Sequence, residues 1–551
     1  MPFELEKTLV DGRLQTVYKH AEPNLRTYFL KFTTLYAQRE CIVYEQERYT
    51  YAQVRARAED ISDALWERYG VRKGDRVAII TRNLPESIIT FWALCLLGAI
   101  PAFVNTWQAR DGLEHCIALV SPKLLILDTE RTAILSPHLP AFLAAHPSVH
   151  FTGVIAIGPT EGVQTGRSHT SIISWTTAFP PRAAPPAQAR RLYESEPATH
   201  PDDPAPSSSR LARLHAREPL LRAGQPLPAP GTTPAGAFLM TAPLFHVVGV
   251  TTNVMVNMFR GNKLVLMRKW DTDEAARLCV AESITDTSGS PALLLDMART
   301  ASFAGVRRTL RGATSGAAPL PPRLRAEFGR AFPGAALVHV YGLTETSAIA
   351  TGVVGPDFDA RPTTAGLPAP VTEIRIVDPE TLAVLPVQAV GEMWIRGANV
   401  MRCYWGDPDA TRKAMTREGW FRTGDLGSLD EDGFLYIKDR LKDIIVRGGE
   451  NIPSTLIEDA LYHDPRVHEA AAVAVPDGRL GELPAALVVV EQGLTEAQLL
   501  HDVQQRYGSL FEIGSNALER NAAGKLDKMK LREIAKAEWA RRMGRKVLGN
   551  L

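Results

Sequence analysis

The sequence predicts an α/β protein: a large N-terminal layered α/β domain with mostly parallel sheets, then a small C-terminal α+β lid domain. Three observations carry this. Short apolar runs alternate with segments of helical periodicity from 48 to about 158, the pattern of parallel strands joined by crossover helices. A chain of 551 residues is too long for one core. The polar stretch DRL (439–441) reads as a hinge, and a shorter set of strands and helices follows it. The expected domains are therefore 1–439 and 440–551.

Each element has a local reason. RYTY (48–51) alternates polar and aromatic residues as a strand does, 52–67 has helical spacing, and RVAII (76–80) is a short apolar strand. NLPE (83–86) opens a helix, with Asn83 as its cap and Pro85 in the first turn. GAIPAFVNT ends a strand at Thr106. The segment 180–236 holds 13 of the 39 prolines and loses all periodicity, the composition of a linker or disordered loop. Order returns at AFLMTAPLFHVVG (237–249), followed by a strand at 263–267, a helix at 272–282 and the buried strand ALVHV (336–340). Short β segments fill 371–397. Past the hinge come 457–462, strands at 470–475 and 485–490, and a helix at 495–506.

Composition narrows the function classes. Apolar content of 45% and charged content of 22% suit an ordinary globular protein. A net charge of +1 gives no electrostatic case for nucleic acid or an anionic membrane surface. Cys41, Cys95, Cys116, Cys279 and Cys403 form no CxxC pair and read as free thiols in a reducing compartment. The longest apolar run, 88–104, contains Gly98 and Pro101 and reads as a buried helix entering a strand, not as a membrane span. The N-terminus has no signal-peptide pattern and the C-terminus no SKL-type address, so a cytoplasmic location is expected.

The chemistry concentrates in short motifs. YGLTET (341–346) follows the strand at 336–340, and its turn aims a hydroxyl and a carboxylate into one cleft. That pair suits a nucleotide phosphate and its Mg²⁺, with Thr344 donating to a phosphate oxygen and Glu345 as a hard oxygen ligand. In GWFRTGDLG (419–427), Asp425 follows a Thr-Gly turn, where a carboxylate accepts from two ribose hydroxyls or simply closes the turn. DRLKDIIVRGGEN (439–451) and RNAAGK (520–525) complete the set.

These four motifs in this order resemble the acyl-adenylate-forming superfamily: acyl-CoA synthetases, aryl-CoA ligases, beetle luciferases and peptide-synthetase adenylation domains. The resemblance runs from about Tyr49 to Lys530. It implies that adenine lies along Gly316, Ala317, Ala318 and Pro319, beside Tyr341 and Gly342. It implies that Thr344 meets phosphate, that Glu345 holds Mg²⁺, and that Asp425 and Arg440 grip the ribose. An Arg only donates and a carboxylate only accepts, so together they suit a diol. Lys525 matches the catalytic lysine between the attacking carboxylate and the α-phosphate. Lys442 matches the family's hinge position or is a solvated lysine. Arg447, Gly448 and Gly449 match the loop lining the pantetheine tunnel of CoA; Pro453 and Leu456 depart from the pattern just after it, and Glu458 restores register. Phe245, His246, Val247 and Ser290 would wall the acyl pocket, and their mainly apolar character favours a fatty or aryl acid. The ligand cleft is expected between the two domains.

The implied function is an ATP-dependent carboxylate–CoA ligase working through acyl-AMP, with ATP, Mg²⁺ and coenzyme A, on a small carboxylic acid, in the style of natural-product pathways. The alternatives are transfer to a carrier-protein thiol, with a carrier protein or polyketide synthase as partner; luciferase-like oxidation, which no feature supports; and a degenerate, non-catalytic acyl or nucleotide binder.

The last alternative stands because relatives carry a Ser/Thr/Gly-rich phosphate loop ending in Pro-Lys-Gly before PLFH, and this chain does not. DDPA (202–205) matches the start of that region, but PSSSRLARLHAREPLL follows. GTT at 231–233 has no Lys after it and is no substitute. The stretch from Pro206 to about Leu220 reads instead as a wrong-frame translation. One nucleotide earlier, codon choices exist under which SSSRLARLHAREP (207–219) becomes LLLTSGTTARPRA. That is an apolar strand entering Thr-Ser-Gly-Thr-Thr at the expected place, with Arg-Pro-Arg where relatives have Pro-Lys. Sequencing the transcript across 206–220 is expected to show codons that encode this loop in the shifted frame. Codons unable to do so would remove the frame proposal and favour the degenerate binder.

Overall fold

The computed structural model describes residues 4–158, 172–180, 235–316, 318, 320–447, 450–462, 464, 466–491, 494, 511–514, 518 and 526–548. The chain divides into two compact units: 1–362 with 366–373 and 395–421, and 363–365 with 374–394 and 422–551.

The first unit is built on two parallel sheets. A five-stranded sheet runs in the order Ile100–Phe103, Arg76–Ile80, Leu124–Asp128, Val154–Ile157, Ile172–Ser174, parallel throughout. A nine-stranded sheet runs Leu367–Pro368, Thr351–Val353, Ala336–Tyr341, Gly312–Ser315, Asp286–Gly289, Ala237–Met240, Lys263–Leu266, Glu40–Tyr44, Glu47–Thr50. It is parallel from Ala336–Tyr341 to Glu40–Tyr44 and antiparallel at both edges. The predicted α/β class with mostly parallel sheets is what the chain adopts. An antiparallel hairpin, Leu5–Val10 with Arg13–Tyr18, precedes them.

Strand alternation explains the layers. On the five-stranded sheet Val77, Ile79, Leu124, Ile126 and Ile155 enter one core, while Ala78, Ile80, Leu125, Leu127 and Val154 enter another. Both faces are covered, so these strands read as continuous apolar runs. The first core also takes Phe238, Met240, Leu264 and Leu266 of the nine-stranded sheet. Helices Leu25–Leu35, Tyr51–Glu67 and Pro85–Leu97 fill the space between the sheets. Pro85–Leu97 buries twelve of its thirteen residues, all but Glu86, which is why 88–104 looked so apolar. It ends at Gly98, whose φ of 71° closes the helix in the left-handed region.

One expectation is corrected here. Asn83 does not cap this helix: the cap position is Leu84, with no side-chain bond. The Asn83 amide instead donates to Ala242 O at 3.1 Å and accepts from Leu244 N at 2.9 Å. A buried amide that satisfies two main-chain groups of another segment is worth more than a cap on a helix already started by proline.

In the second unit, strands Glu450–Ile452, Ile445–Arg447, Gly481–Val490 and Val467–Asp477 form a sheet to which Phe511–Gly514 adds in parallel. Ala470, Ala472, Ala486 and Val488 pack with Ile457 and Leu461 of helix Ser454–Tyr462 on one face. Ala471, Val473, Ala485 and Leu487 pack with Leu531 and Ala535 of helix Lys528–Leu548 on the other. This is the smaller α+β part. A further four-stranded sheet runs Thr372–Val377, Gly391–Gly397, Phe421–Leu429, Leu435–Arg440, and the division between units passes through its strands. The expected helix at 495–506 and the proline-rich segment lie outside the described residues, apart from 180, 235 and 236. No helix among the described residues is long and apolar enough to cross a membrane. All five cysteines are free.

His339, on strand Ala336–Tyr341, is buried and stacks on Phe358 with ring centroids 6.1 Å apart and 15° between planes. Its Nδ1 has no hydrogen-bond partner among the described residues. Burial pushes the imidazole pKa down from 6.5 to about 4, against a weaker opposing effect of the Ser315 backbone. A depressed folded pKa gives stability that is complete above the unfolded value and lost as pH falls through the folded one. The loss approaches about 3 kcal/mol. Unfolding free energy measured from pH 7 to pH 4 should therefore fall less steeply for His339→Gln than for the parent chain.

Candidate functional site

In the nine-stranded sheet four neighbouring parallel strands end at four segments that carry candidate site residues, YGLTET among them. Ala237–Met240 leads into 241–247, Asp286–Gly289 into Ser290, Gly312–Ser315 into 316–320, and Ala336–Tyr341 into Gly342 and the turn Thr344–Thr346. Carboxyl ends of adjacent parallel strands are where open α/β sheets bind ligands. The structure thus brings Phe245, His246, Val247, Ser290, Gly316, Tyr341, Gly342, Thr344 and Glu345 to one edge of one sheet.

Close approach demands glycine at two of these positions. A Cβ at Gly342 would lie 1.9 Å from Ala348 O. A Cβ at Gly316 would lie 2.8 Å from Val340 Cγ2, where the two motifs abut. The turn after Gly342 is held by Leu343 N donating to Thr346 Oγ1 at 2.9 Å. Ser347 and Ala348 follow with φ of 68° and 88°, a left-handed pair that costs energy for side-chain-bearing residues. A second segment compensates: Met401 N donates to Glu345 O at 2.8 Å, Ser347 Oγ to Asn399 O at 2.6 Å, and Asn399 Nδ2 to Thr346 O at 3.3 Å. Thr346 is buried in this arrangement, Glu345 half-buried and Thr344 exposed.

The acyl-pocket candidates sit two and three strands away from Ala336–Tyr341. Phe245 meets Trp107 edge to face, with centroids 5.2 Å apart. His246 Nδ1 accepts from Val248 N at 3.3 Å, and Val247 O accepts from Thr251 Oγ1 at 2.7 Å. A seven-residue π-helix, Gly249–Met255, follows. A Cβ at Gly249 would lie 2.2 Å from Pro243 O, so the helix starts tight against the PLF turn. Ser290 caps helix Pro291–Arg299, accepting from Leu293 N at 3.4 Å.

The second unit carries Asp425, Arg440, Lys442 and Arg447. Asp425 and Arg440 are register partners on antiparallel strands, and Arg440 Nε lies 3.0 Å from Asp425 Oδ1. Asp425 is buried and Arg440 half-exposed. The turn before Asp425 is fixed by Gly424 N donating to Glu392 Oε1 at 3.1 Å and Asp425 N to Thr423 Oγ1 at 3.0 Å. Lys442 is exposed in the short turn Leu441–Asp443. Arg447 pairs with Glu450 across a two-residue connection. Gly448 and Gly449 form that connection and, with Ala317, Pro319 and Lys525, lie outside the described residues; Ala318 is exposed.

Motif reading missed a buried polar network next to the turn Leu441–Asp443. Asp439 accepts from Ser454 N, from Ser454 Oγ at 3.0 Å and from Arg440 N at 2.7 Å. It thereby satisfies the first free N–H of helix Ser454–Tyr462 and faces that helix's positive end. Lys528 Nζ donates to Ser454 Oγ at 2.7 Å and lies 2.7 Å from Glu458 Oε1. Glu458 also accepts from Ala472 N at 2.9 Å. Burial raises the Glu458 pKa, and Lys528 only partly opposes this. No spacing in the sequence links 439, 454, 458 and 528. A second missed residue, Tyr404, donates from its hydroxyl to Glu345 Oε1 at 2.8 Å.

No group of three or more ligating side chains that would hold a metal occurs among the described residues. The Glu345 carboxylate alone fits a Mg²⁺ that keeps its waters and arrives on nucleotide phosphates, the usual manner of this ion.

Comparison with known proteins gives the family. The family model for the AMP-binding enzyme matches residues 31–205 and 222–405, and that for the AMP-binding enzyme C-terminal domain matches 456–525. The chain is 31% identical over 509 residues to a 4-coumarate–CoA ligase-like 6 of Oryza sativa subsp. japonica, covering 88% of this chain and 82% of the rice protein. It is 29% identical over 500 residues to the long-chain-fatty-acid–CoA ligase FadD13 of Mycobacterium tuberculosis, covering 88% and 93%. Among solved structures, the amide bond synthetase McbA of Marinactinospora thermotolerans superposes with a TM-score of 0.75 at 25% identity, over 92% of this chain and 99% of that one.

The network beside the turn Leu441–Asp443 yields a stability test. Lys528→Met leaves Glu458 buried without its counter-charge and should cost about 3–5 kcal/mol. Replacing both, as Lys528→Met with Glu458→Leu, should recover most of that loss in denaturant unfolding.

Proposed function

Since the chain belongs to the AMP-binding enzyme family, we propose that it is an ATP-dependent carboxylate–CoA ligase acting through an acyl-AMP intermediate on a fatty or aryl acid. The carboxylate attacks the α-phosphate of ATP and releases pyrophosphate. The CoA thiol then takes the acyl group and AMP leaves. The observation that carries this reading is the turn at 342–346, which holds Thr344 and Glu345 at the end of the last strand of the parallel run, beside Gly316.

Within it, each residue has a task. Thr344 donates to a phosphate oxygen. Glu345 holds Mg²⁺, which when bound neutralises phosphate charge. Asp425 and Arg440 take the ribose hydroxyls, exchanging part of their mutual ion pair for a diol. Lys525 brings positive charge to the carboxylate and α-phosphate as they approach. Arg447, Gly448 and Gly449 take the pantetheine, and 440–551 acts as the lid that turns at Lys442. Phe245, His246, Val247 and Ser290 wall the acyl chain. Most of the catalysis is positioning and charge neutralisation.

A second reading is favoured by one specific observation. The family match breaks off at 205 and resumes at 222, leaving out the whole of the stretch read as wrong-frame, 206–220. The chain as printed then lacks the residues that cradle the β- and γ-phosphates, and it binds nucleotide without adenylating.

Carboxylate-dependent pyrophosphate exchange separates the two. The frame-corrected chain should exchange with at least one aryl or fatty acid, identified by hydroxamate trapping, and the printed chain should not. In the active form, Lys525→Ala should lower acyl-AMP formation about 10²–10³-fold while leaving thioester formation from supplied acyl-AMP largely intact. Equal loss in both half-reactions would refute the role of Lys525, and acceptance of a carrier-protein thiol in place of CoA would move the enzyme to the carrier-loading class.

A further inference from the structure

We propose that Tyr404 is a positioning residue for the metal-binding carboxylate, a role that rests on the reading of Glu345 as the Mg²⁺ ligand. The two residues are 59 apart in sequence, yet the Tyr404 hydroxyl donates to Glu345 Oε1 at 2.8 Å. A carboxylate has two oxygens and about four lone-pair sites. With Oε1 engaged by the phenol, Oε2 has no protein partner among the described residues and is left to a hard cation.

The surroundings make this a fixed arrangement. The main chains of 345–349 and 399–401 are joined by the bonds from Met401, Ser347 and Asn399 described above. Tyr404 is anchored in turn: its N–H donates to Thr411 Oγ1 at 3.0 Å, and Thr411 Oγ1 donates to Asp407 O at 2.8 Å at the start of helix Pro408–Ala414. What remains free at Glu345 is side-chain torsion, and the phenol removes it. Burial first, and the hydrogen bond to Glu345 second, hold the Tyr404 pKa well above its ordinary value. Such outer partners of a metal-binding carboxylate typically change metal affinity by about 10–100-fold.

The test measures ATP affinity by calorimetry, once with Mg²⁺ and once with EDTA, on the full chain expressed from its sequenced transcript. The readout is the gain in affinity that Mg²⁺ confers. Tyr404→Phe and Tyr404→Met, which both lack the hydroxyl, should reduce that gain about tenfold and leave ATP binding in EDTA unchanged. Glu345→Gln should abolish the gain, and adding Tyr404→Phe to it should change nothing more, because Tyr404 acts through Glu345. Three results would overturn the proposal while leaving Glu345 as ligand: an intact gain in both Tyr404 variants, a larger gain, or an equal loss in EDTA. An intact gain in Glu345→Gln would overturn the reading of Glu345, and the role of Tyr404 with it.

Discussion

Parallel pairing of main chains is the constraint on which the first unit depends. Parallel strands cannot be joined by tight hairpins, so each needs a crossover, and the crossovers cover both faces of the sheet. Every parallel strand then starts at one edge and ends at the other. That is why 241–247, Ser290, 316–320 and 341–346, far apart in sequence, arrive side by side. The chemistry is placed by the register of the sheet, and the loops need only be short.

The positions of elements were legible because they follow from local pattern. RVAII is a strand because its apolar residues run without a break, as a sheet covered on both faces requires, whereas ALVHV is broken by His339 and buries only the alternate positions Leu337 and His339. The turn after ALVHV was legible because Gly342 has no room for a side chain. Partnerships were not legible. Asn83 has the composition of a cap, yet its amide serves the main chain at 242 and 244, because proline already starts the helix. Tyr404, Asn399 and Lys528 act on residues 53 or more positions away, and nothing in their own neighbourhoods announces it. Lys525 was found only by its resemblance to a family pattern.

The second unit shows the same logic in a smaller frame. Its long hairpin Val467–Asp477 with Gly481–Val490 alternates small apolar residues to two faces, each covered by one helix. Alanine recurs on both faces, which lets the helices lie close. The polar network of Asp439, Ser454, Glu458 and Lys528 then ties the ends of three elements together just before Arg440. The turn at 441–443 has one side fixed by hydrogen bonds and the other carrying an exposed lysine.

The all-round burial of helix Pro85–Leu97 has a consequence for biosynthesis. Part of its cover comes from strands Ala237–Met240 and Lys263–Leu266, which leave the ribosome only after about 140 further residues. At about 5–20 residues per second, the nascent chain carries this helix incompletely covered for roughly 7–30 s. During that interval its Phe, Trp, Leu and Ile side chains are an adhesive surface on the polypeptide. Yield of the folded protein should thus depend on chaperone capacity and elongation speed more than on the final stability of the domain.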